Sequence, residues 1–490
     1  MNPLLGYVAI ATVTLATALI GFFGLRVSRT TSDFYVASRT VRPWWNASAI
    51  GGEYLSAASF LGIAGLILLQ GSEALWFPIG YTAGYLMLLL FVAAPLRRSG
   101  AYTIPDFTQA RLESTTVRRI TSTLVIVIGW LYIVPQLQGA ALTVRITTGL
   151  PSWVGAVAVA VIVGVVVAAG GMRSITFVQA FQFWLKLTAI SVPVIFILIL
   201  VRDAPSLDPA TAFPAELSPG TPDSYRTISL LVALLFGTLG LPHVLVRFYT
   251  NPDGVAARTT TLIVLGLLSL FYIFPTMFGL LGRVLASDLA TPASADALVL
   301  LLPGRLLPGP LGDALTALVI AGAFGAFLST SSGLVVSLAG VISQEAFGGS
   351  VKGFRMAAIA SISVPLVVAL LAEPGGLAGS VGLVFAFTAS TLCPVLVLGI
   401  WWRGLTATGA VAGMLIGGAA CGLAILVGRL VGPGVDTVSS VLSQPAAWTV
   451  PLSVIVMVVV SIADRRRIPR GVDRFMRRLH VPERPGAGVS

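Results

Sequence analysis

Thirteen apolar stretches, each long enough to cross a lipid bilayer as a helix, fill most of this chain of 490 residues. A hydrocarbon core about 30 Å thick is crossed by roughly 20 apolar residues in helical conformation. Within lipid, backbone N–H and C=O groups must find partners inside the segment, which favours helices. The sequence therefore predicts an all-α membrane protein with about 13 transmembrane helices. The stretches run over residues 4–25, 46–70, 74–96, 120–144, 152–170, 174–201, 227–246, 259–282, 311–340, 354–372, 377–400, 405–427 and 446–463.

The composition and the short linkers predict one membrane domain. Hydrophobic residues make up 56% of the chain and charged residues 10%. We predict a single transmembrane domain over residues 1–465, followed by a basic cytoplasmic tail at 466–490. The two cysteines, Cys393 and Cys421, lie inside apolar stretches and predict neither a disulfide nor a metal site. No phosphate-binding loop and no metal-ligand spacing is evident, so we expect no enzyme activity and no cofactor.

The net charge of +11 could suggest a nucleic-acid partner, but its distribution argues against one. With the N-terminus outside and the stretches alternating, 23 of the 30 basic residues fall on the inner side. This is the positive-inside asymmetry of membrane proteins. We therefore predict a multi-pass protein of a bacterial-type plasma (inner) membrane, with the N-terminus outside and the C-terminus in the cytoplasm. Its large partner is the lipid bilayer, and no nucleic acid is expected.

Two stretches carry residues that interrupt helices. The second reads NASAIGGEYLSAASFLGIAG, and the seventh reads LLFGTLGLPHVLVRFYT. Proline removes a backbone N–H and clashes with the preceding turn, and glycine tolerates unwinding. Secondary transporters place broken helices at matching positions of inverted repeats, with the binding site at the break. Since these stretches lie five helices apart, we predict an inverted five-plus-five repeat at about residues 46–201 and 227–400, with peripheral helices around it. The alternative is that the small residues serve only helix packing.

Three ionisable side chains inside the apolar stretches are candidates for coupling. Glu53 could be a cation ligand, a proton carrier or a structural acceptor. Lys186, near the middle of the sixth stretch, either carries a proton or reaches a polar cavity with no role in transport. His243 follows Pro242 at the seventh-stretch break and either contacts substrate or bonds to the unwound backbone. Arg247, one turn later, is expected to anchor the inner interface.

The ninth stretch contains four consecutive hydroxyl side chains, from Ser329 to Ser332. Hydroxyls and the freed carbonyls of an unwound helix can bind sodium. Alternatively, such hydroxyls bond back to carbonyl oxygens of the preceding turn. The run alone leaves both interpretations open.

Together these motifs resemble the sodium:solute symporter family over roughly residues 30–430. The resemblance rests on SAASFLGIAG in the second stretch, GAYTIPDF in the following inner loop, GGMRSITFVQAFQ entering the sixth and GLPHVLVRFYT in the seventh. It implies the LeuT-like inverted-repeat fold and secondary active transport by alternating access. The sequences of the second and seventh stretches are most similar to those of the acetate permease branch of this family. That branch implies symport of a short-chain monocarboxylate such as acetate, propionate or pyruvate, coupled to sodium.

The resemblance also implies a set of cation ligands. Related sodium-coupled members bind the ion between the second and ninth helices. The ligands carried over to this chain are the backbone carbonyls of Gly52, Leu55 and Ala326 and the hydroxyls of Ser329 and Thr330. Where those members carry an aspartate in the sixth helix, this chain has Thr176. That departure keeps a proton-coupled alternative, through Lys186 or Glu53, beside the sodium-coupled one.

We expect the substrate at the two breaks, where half-helix N-termini favour anions. The predicted substrate-binding residues are Tyr54, Ser56, Ser59, Thr238 and Gly240. Two alternatives remain at this point. A transporter of the same fold could carry another small solute such as proline, a sugar or pantothenate, or the protein could be an uncoupled channel.

Overall fold

A computed structural model describes residues 3–25, 34–35, 37, 41–202, 224–372, 375–431 and 437–481. Its regular elements are α-helices with short 3-10 and π turns, and these ranges contain no β-strand. In the first half, the helices are α1 Pro3–Leu25, α2 Pro43–Tyr54, α3 Ile63–Gln70, α4 Trp76–Phe91, α5 Ala93–Arg98, α6 Ile104–Leu112, α7 Thr115–Thr148, α8 Ser152–Val201, α9 Ser224–Gly240 and α10 Pro242–Val246. In the second half, they are α11 Gly254–Leu285, α12 Leu298–Leu306, α13 Pro310–Ala346, α14 Val351–Leu371, α15 Leu377–Ala389, α16 Leu392–Trp401, α17 Ala407–Val431, α18 Thr437–Ser443, α19 Ala446–Ala463 and α20 Val472–His480.

The predicted all-α membrane fold is confirmed. Among the described residues, ten helical segments are long and apolar enough to cross a membrane, and the α15–α16 pair, bent by 41°, makes an eleventh. Two of these ten segments, Ala58–Phe91 and Ser152–Val201, each join two of the predicted apolar stretches. The 50 residues of α8 would extend about 75 Å at 1.5 Å per residue, and Gly171 divides them with φ 57° and ψ −160°. A 3-10 turn at Gly71–Leu75 separates α3 from α4. With these divisions, each of the thirteen apolar stretches has its own helical segment.

Both predicted helix breaks are present. Helix α2 ends at Tyr54, Leu55 has ψ 85°, and the chain re-enters helical structure through a π turn, Ala58–Gly62, before α3. Helix α9 ends at Gly240, Leu241 has ψ 116°, and Pro242 begins α10. A proline suits a first helical position because its missing N–H would have no partner there.

The first break lies three residues beyond the glycine pair that predicted it. Gly51 and Gly52 are helical, and they serve close packing instead. A Cβ on Gly52 would lie 2.1 Å from the carbonyl oxygen of Gln179 on α8. Any larger residue would therefore force α2 away from α8.

Around the breaks, α8 packs against α13 and α2, while α9 packs against α15 and α4. Helices α17 and α19 pack on each other, and α7 and α9 contact this pair at its edge. Helix α6 follows a capping box in which the Thr103 hydroxyl and the Asp106 carboxylate each accept the other residue's backbone N–H.

Part of the predicted basic tail packs against this end of the protein. Helix α20 contacts α5 and α6, and Gly471 N donates to Glu113 Oε1 over 3.2 Å. Residues 482–490 of the tail lie outside the described residues. The orientation of the termini stays a prediction.

Candidate functional site

A buried ion pair joins the two broken helices. Arg247 Nε lies 2.7 Å from Glu53 Oε2, and the two residues are 0% and 1% exposed. Arg247 Nη1 also donates to Thr176 Oγ1 over 2.8 Å, and Nη2 donates to Gln179 Oε1. The sequence-based expectation that Arg247 anchors the inner interface is therefore wrong. The break before α10 directs the arginine into the protein, where its partner is 194 residues away in sequence.

Helix α13 closes over this ion pair. Thr330 Oγ1 donates to the carbonyl oxygen of Glu53 over 2.6 Å. A Cβ on Gly333 would lie 2.1 Å from the Glu53 carboxyl carbon, so only glycine leaves room for the carboxylate. From the other side, Asn46 Nδ2 donates to the carbonyl oxygen of Arg247 over 3.2 Å. The charges are thus enclosed by α2, α8, α10 and α13.

The Lys186 ammonium group lies at the first break. Its Nζ donates to the carbonyl oxygen of Gly52, to that of Leu55 over 2.7 Å and to Ser329 Oγ over 3.0 Å. Ser329 Oγ in turn donates to the carbonyl oxygen of Ala326 over 3.1 Å. The carbonyls of Gly52 and Leu55 only accept, and Ser329 Oγ accepts a third N–H when its own proton is donated to Ala326. Three N–H donors are the complement of a charged ammonium group.

The predicted cation ligands are therefore brought together, but around a lysine. Gly52, Leu55 and Ser329 bond to it directly, and Ala326 bonds to Ser329. Thr330 instead donates to the Glu53 backbone.

The predicted substrate residues fall into separate contacts. The Tyr54 hydroxyl lies 3.2 Å from Thr238 Oγ1, which links α2 to α9 across the two breaks. Ser59 Oγ lies 3.1 Å from the hydroxyl of Tyr272 on α11. Ser56 is buried at the first break.

Gly240 faces away from this group. A Cβ there would lie 2.9 Å from the backbone nitrogen of Cys393, at the start of α16. The glycine thus permits close packing of α9 on the α15–α16 bend.

Seven rings form an aromatic cluster between the breaks. Ring centroids lie 4.6 Å apart for Tyr54 and Tyr85, 5.9 Å for Tyr81 and Tyr272, and 5.1 Å for Tyr132 and His243. The aromatic cluster consists of Tyr54, Tyr81, Tyr85, Tyr132, His243, Tyr272 and Phe385.

The cluster contains buried polar atoms without protein partners. The hydroxyls of Tyr81 and Tyr85 and both ring nitrogens of His243 accept or donate no hydrogen bond among the described residues. Buried polar atoms are nearly always paired, so such exceptions mark candidate ligand contacts. Sequence reasoning missed both tyrosines. Their signal was a pair of tyrosines four residues apart, and so on one face, in an apolar helix.

With Lys186 as an ammonium group, the charges of the site sum to one positive charge. Glu53 and Arg247 neutralise each other, and the Lys186 ammonium is left over. The aromatic cluster begins at Tyr54, next to Leu55, whose carbonyl accepts from the lysine. The break therefore combines one buried positive charge with a largely aromatic wall that carries unpaired hydroxyl groups.

Comparison with known proteins agrees with this architecture. The model of the sodium:solute symporter family matches residues 34–417. The chain belongs to the sodium:solute symporter family. It is 33% identical over 441 residues to the uncharacterized symporter YwcA of Bacillus subtilis, covering 85% of this chain and 84% of that one. It is 28% identical over 538 aligned positions to a monocarboxylic acid transporter of Corynebacterium glutamicum, covering 100% and 96%.

Solved structures share the fold of this symporter. A Na+-coupled sialic acid symporter matches with a TM-score of 0.73 at 16% identity, covering 94% of this chain and 98% of the other. Mhp1, a nucleobase-cation-symport-1 family transporter, matches with a TM-score of 0.54 at 14% identity, covering 91% and 98%. At such identities the likeness shows the fold alone. Family and fold together describe a multi-pass membrane protein that performs secondary active symport of a small solute with a cation.

Proposed function

We propose that this symporter takes up a short-chain monocarboxylate, such as acetate, propionate or pyruvate, together with a cation by alternating access. The observation that carries the proposal is the single uncompensated positive charge at the first helix break. Glu53 is already paired with Arg247, so the Lys186 ammonium is the charge that an anion bound nearby would balance. The name of the Corynebacterium glutamicum relative, a monocarboxylic acid transporter, supports the same substrate class.

Charge separates the candidate substrates. Burying an unpaired charge is costly, and a monoanion would neutralise the one at this site. A neutral sugar or urea would leave the charge uncompensated, and a dicarboxylate would reverse its sign. The hydroxyls of Tyr81 and Tyr85 offer donors to a carboxylate, and the surrounding rings offer an apolar wall to a short alkyl group. A small carboxylic acid anion satisfies both features.

The coupling ion has two candidates. Sodium is the ion in the family's description. The proton is the second candidate, and the observation that favours it is the lysine lying at the predicted cation ligands. One cation moving with one monoanion is electroneutral, so the membrane voltage adds nothing. Each tenfold cation gradient then supplies about 1.4 kcal/mol. A second cation would add roughly 2.3 kcal/mol per 100 mV.

The test is uptake of radiolabelled pyruvate into proteoliposomes of the purified protein. Pyruvate is preferable to acetate because it is the stronger acid and crosses lipid less readily in its neutral form. We expect saturable uptake that excess acetate and propionate inhibit and that proline, galactose, pantothenate and urea do not. Stronger inhibition by one of the latter solutes would overturn the proposed substrate class.

Counterflow separates a carrier from a channel. In a carrier, unlabelled pyruvate inside the vesicles accelerates the entry of labelled pyruvate, because the binding site returns loaded. A channel has no such acceleration. We expect counterflow, and its absence in active vesicles would contradict alternating access.

A further inference from the structure

The atoms that bond to Lys186 are those that the family resemblance assigns to sodium. Two of the three acceptors are the carbonyl oxygens of Gly52 and Leu55, and the third is the hydroxyl of Ser329. These belong to two different elements, the first helix break and α13. Lys186 comes from a third element, α8. The ammonium group therefore ties the break to α13, which is the connection that a bound cation would make.

The coordination of this ammonium group is complete. An ammonium has three N–H donors, and each one has an acceptor. The remaining predicted ligands are engaged as well, because the Ala326 carbonyl accepts from Ser329 and the Thr330 hydroxyl donates to the Glu53 backbone. A sodium ion at this position would compete with the lysine for three of these five oxygens, those of Gly52, Leu55 and Ser329.

Charge excludes sharing of the site. A sodium ion and an ammonium group at the same oxygens would repel each other strongly at such short separation. The charge of the Glu53 carboxylate is already balanced by Arg247, which bonds to its Oε2, although its Oε1 has no hydrogen-bond partner among the described residues. The position where sodium-coupled members carry an aspartate is Thr176, and its hydroxyl accepts from Arg247.

The lysine also has no open path away from the site. Lys186 is 0% exposed, and α8 packs against both α13 and α2 along this region. The ammonium group cannot reach solvent unless these helices separate. The packing of α2, α8 and α13 thus keeps the Lys186 ammonium group among the predicted cation ligands.

We propose that the ammonium group of Lys186 takes the place of the sodium ion at this cation site, so that the site binds no sodium while the lysine is present. The inference rests on the proposed symport and identifies which cation holds the substrate-binding state together. It assigns to this member of the family a fixed internal cation at a position where other members bind a free one.

The experiment measures pyruvate counterflow with sodium chloride or choline chloride on both sides of the membrane. Counterflow needs no ion gradient, so it reports substrate exchange separately from energy coupling. For the wild-type protein we expect equal rates in the two salts and no sodium-22 entering with pyruvate. Rates that require sodium, or entry of sodium-22 with pyruvate, would overturn the inference while leaving the proposed substrate intact. Loss of counterflow in both salts would instead contradict the proposed function.

Removing the ammonium group should open the site to sodium. In Lys186→Met, the carbonyls of Gly52 and Leu55 and the Ser329 hydroxyl lose their donor. At about ten times the dissociation constant of sodium, the bound state outweighs the free state about tenfold. We therefore expect sodium to raise the counterflow rate of this variant roughly tenfold. A folded variant that ignores sodium as the wild type does would contradict the assignment.

Lys352→Met is the matched control because it removes the other lysine of the chain, which is exposed on α14. It should behave as the wild type in both salts. If Lys186→Met fails to fold, the inference is still tested by two measurements on the wild type: the counterflow rates in the two salts and the entry of sodium-22.

Discussion

Arg247 Nε donates to Glu53 Oε2 over 2.7 Å, and this bond connects α2 to the residue that directly follows α10. The two residues flank different helix breaks, one in each predicted repeat. Both are buried, and Gly333 of α13 leaves the space that the carboxylate fills. The pair therefore fixes the relative position of the two breaks, and its removal should disturb both.

The first prediction concerns the strength of this pair. Glu53→Gln leaves the Arg247 guanidinium charged and buried, and we expect it to lower the free energy of unfolding by about 3–5 kcal/mol. The double variant Glu53→Gln with Arg247→Gln should cost less than the sum of the single variants, since neither then leaves a charge unpaired. Denaturant unfolding in detergent measures all three variants.

An exposed pair of similar length is the control. Asp288 and Arg305 lie 2.8 Å apart with side chains 62% and 44% exposed. Asp288→Asn should change the free energy of unfolding by less than about 1 kcal/mol. Equal costs for Glu53→Gln and Asp288→Asn would show that burial does not give the Glu53–Arg247 pair its importance.

The second prediction concerns the glycine beside the pair. In Gly333→Ala, the new Cβ would lie 2.1 Å from the Glu53 carboxyl carbon, so α13 or the carboxylate must move. We expect a loss of about 1–3 kcal/mol, typical of overpacking in a core. Gly266→Ala on α11 is the matched control because its Cβ would meet nothing within 4 Å. There the higher helix propensity of alanine should stabilise by up to about 1 kcal/mol.

The third prediction separates substrate contact from stability. The hydroxyls of Tyr81 and Tyr85 have no hydrogen-bond partner in the part of the chain that the structure describes, so Tyr81→Phe and Tyr85→Phe should leave the melting temperature unchanged or raise it. If a hydroxyl contacts the carboxylate, its loss removes a bond of about 1.5–3 kcal/mol to a charged group. The KM for pyruvate should then rise roughly 10- to 100-fold. Tyr54→Phe is the contrast, because that hydroxyl bonds to the Tyr81 carbonyl and to Thr238, and its loss should lower stability.

Unchanged KM values in both Tyr81→Phe and Tyr85→Phe would show that neither hydroxyl contacts the carboxylate of the substrate. His243→Gln would then be the next variant, since neither ring nitrogen of this histidine has a hydrogen-bond partner within the described ranges.

The fourth prediction concerns an ion-pair contact that joins α6, α7 and α13. Arg118 at the start of α7 lies 2.6 Å from both Asp106 of α6 and Glu345 at the end of α13. Arg118→Gln removes both ion pairs, together about 1–2 kcal/mol. We expect a cysteine placed at Ser337, which lines a small cavity between α6, α7, α10 and α13, to react about tenfold faster with a water-soluble maleimide. Arg403→Gln, which breaks an exposed 3.4 Å pair, should leave that rate unchanged.

The helix breaks could be predicted from the sequence because their causes are local. Pro242 lacks the backbone N–H that would continue α9, and the break falls directly before it. The first break is less local. Gly51 and Gly52 suggested its position, but the chain unwinds only at Leu55. The two glycines are needed instead because Phe183 and Gln179 of α8 approach too closely for a larger side chain. Packing between distant segments decided that detail.

The partners of the buried charges could not be read from the sequence. Glu53, Arg247 and Lys186 were each visible as unusual residues in apolar surroundings, but pairing depends on how α2, α8 and α10 meet. The resemblance to the family identified oxygens that converge in space. It did not indicate that Lys186 supplies the positive charge among them, because a local alignment compares ligands and not what lies between them.

Pyruvate binding to the purified protein in sodium-free buffer, measured by isothermal titration calorimetry, shows whether Lys186 takes the place of a sodium ion. We expect saturable binding by the wild type without sodium, and binding at least about tenfold weaker in Lys186→Met under the same conditions. Binding by the wild type that appears only when sodium is added would contradict it.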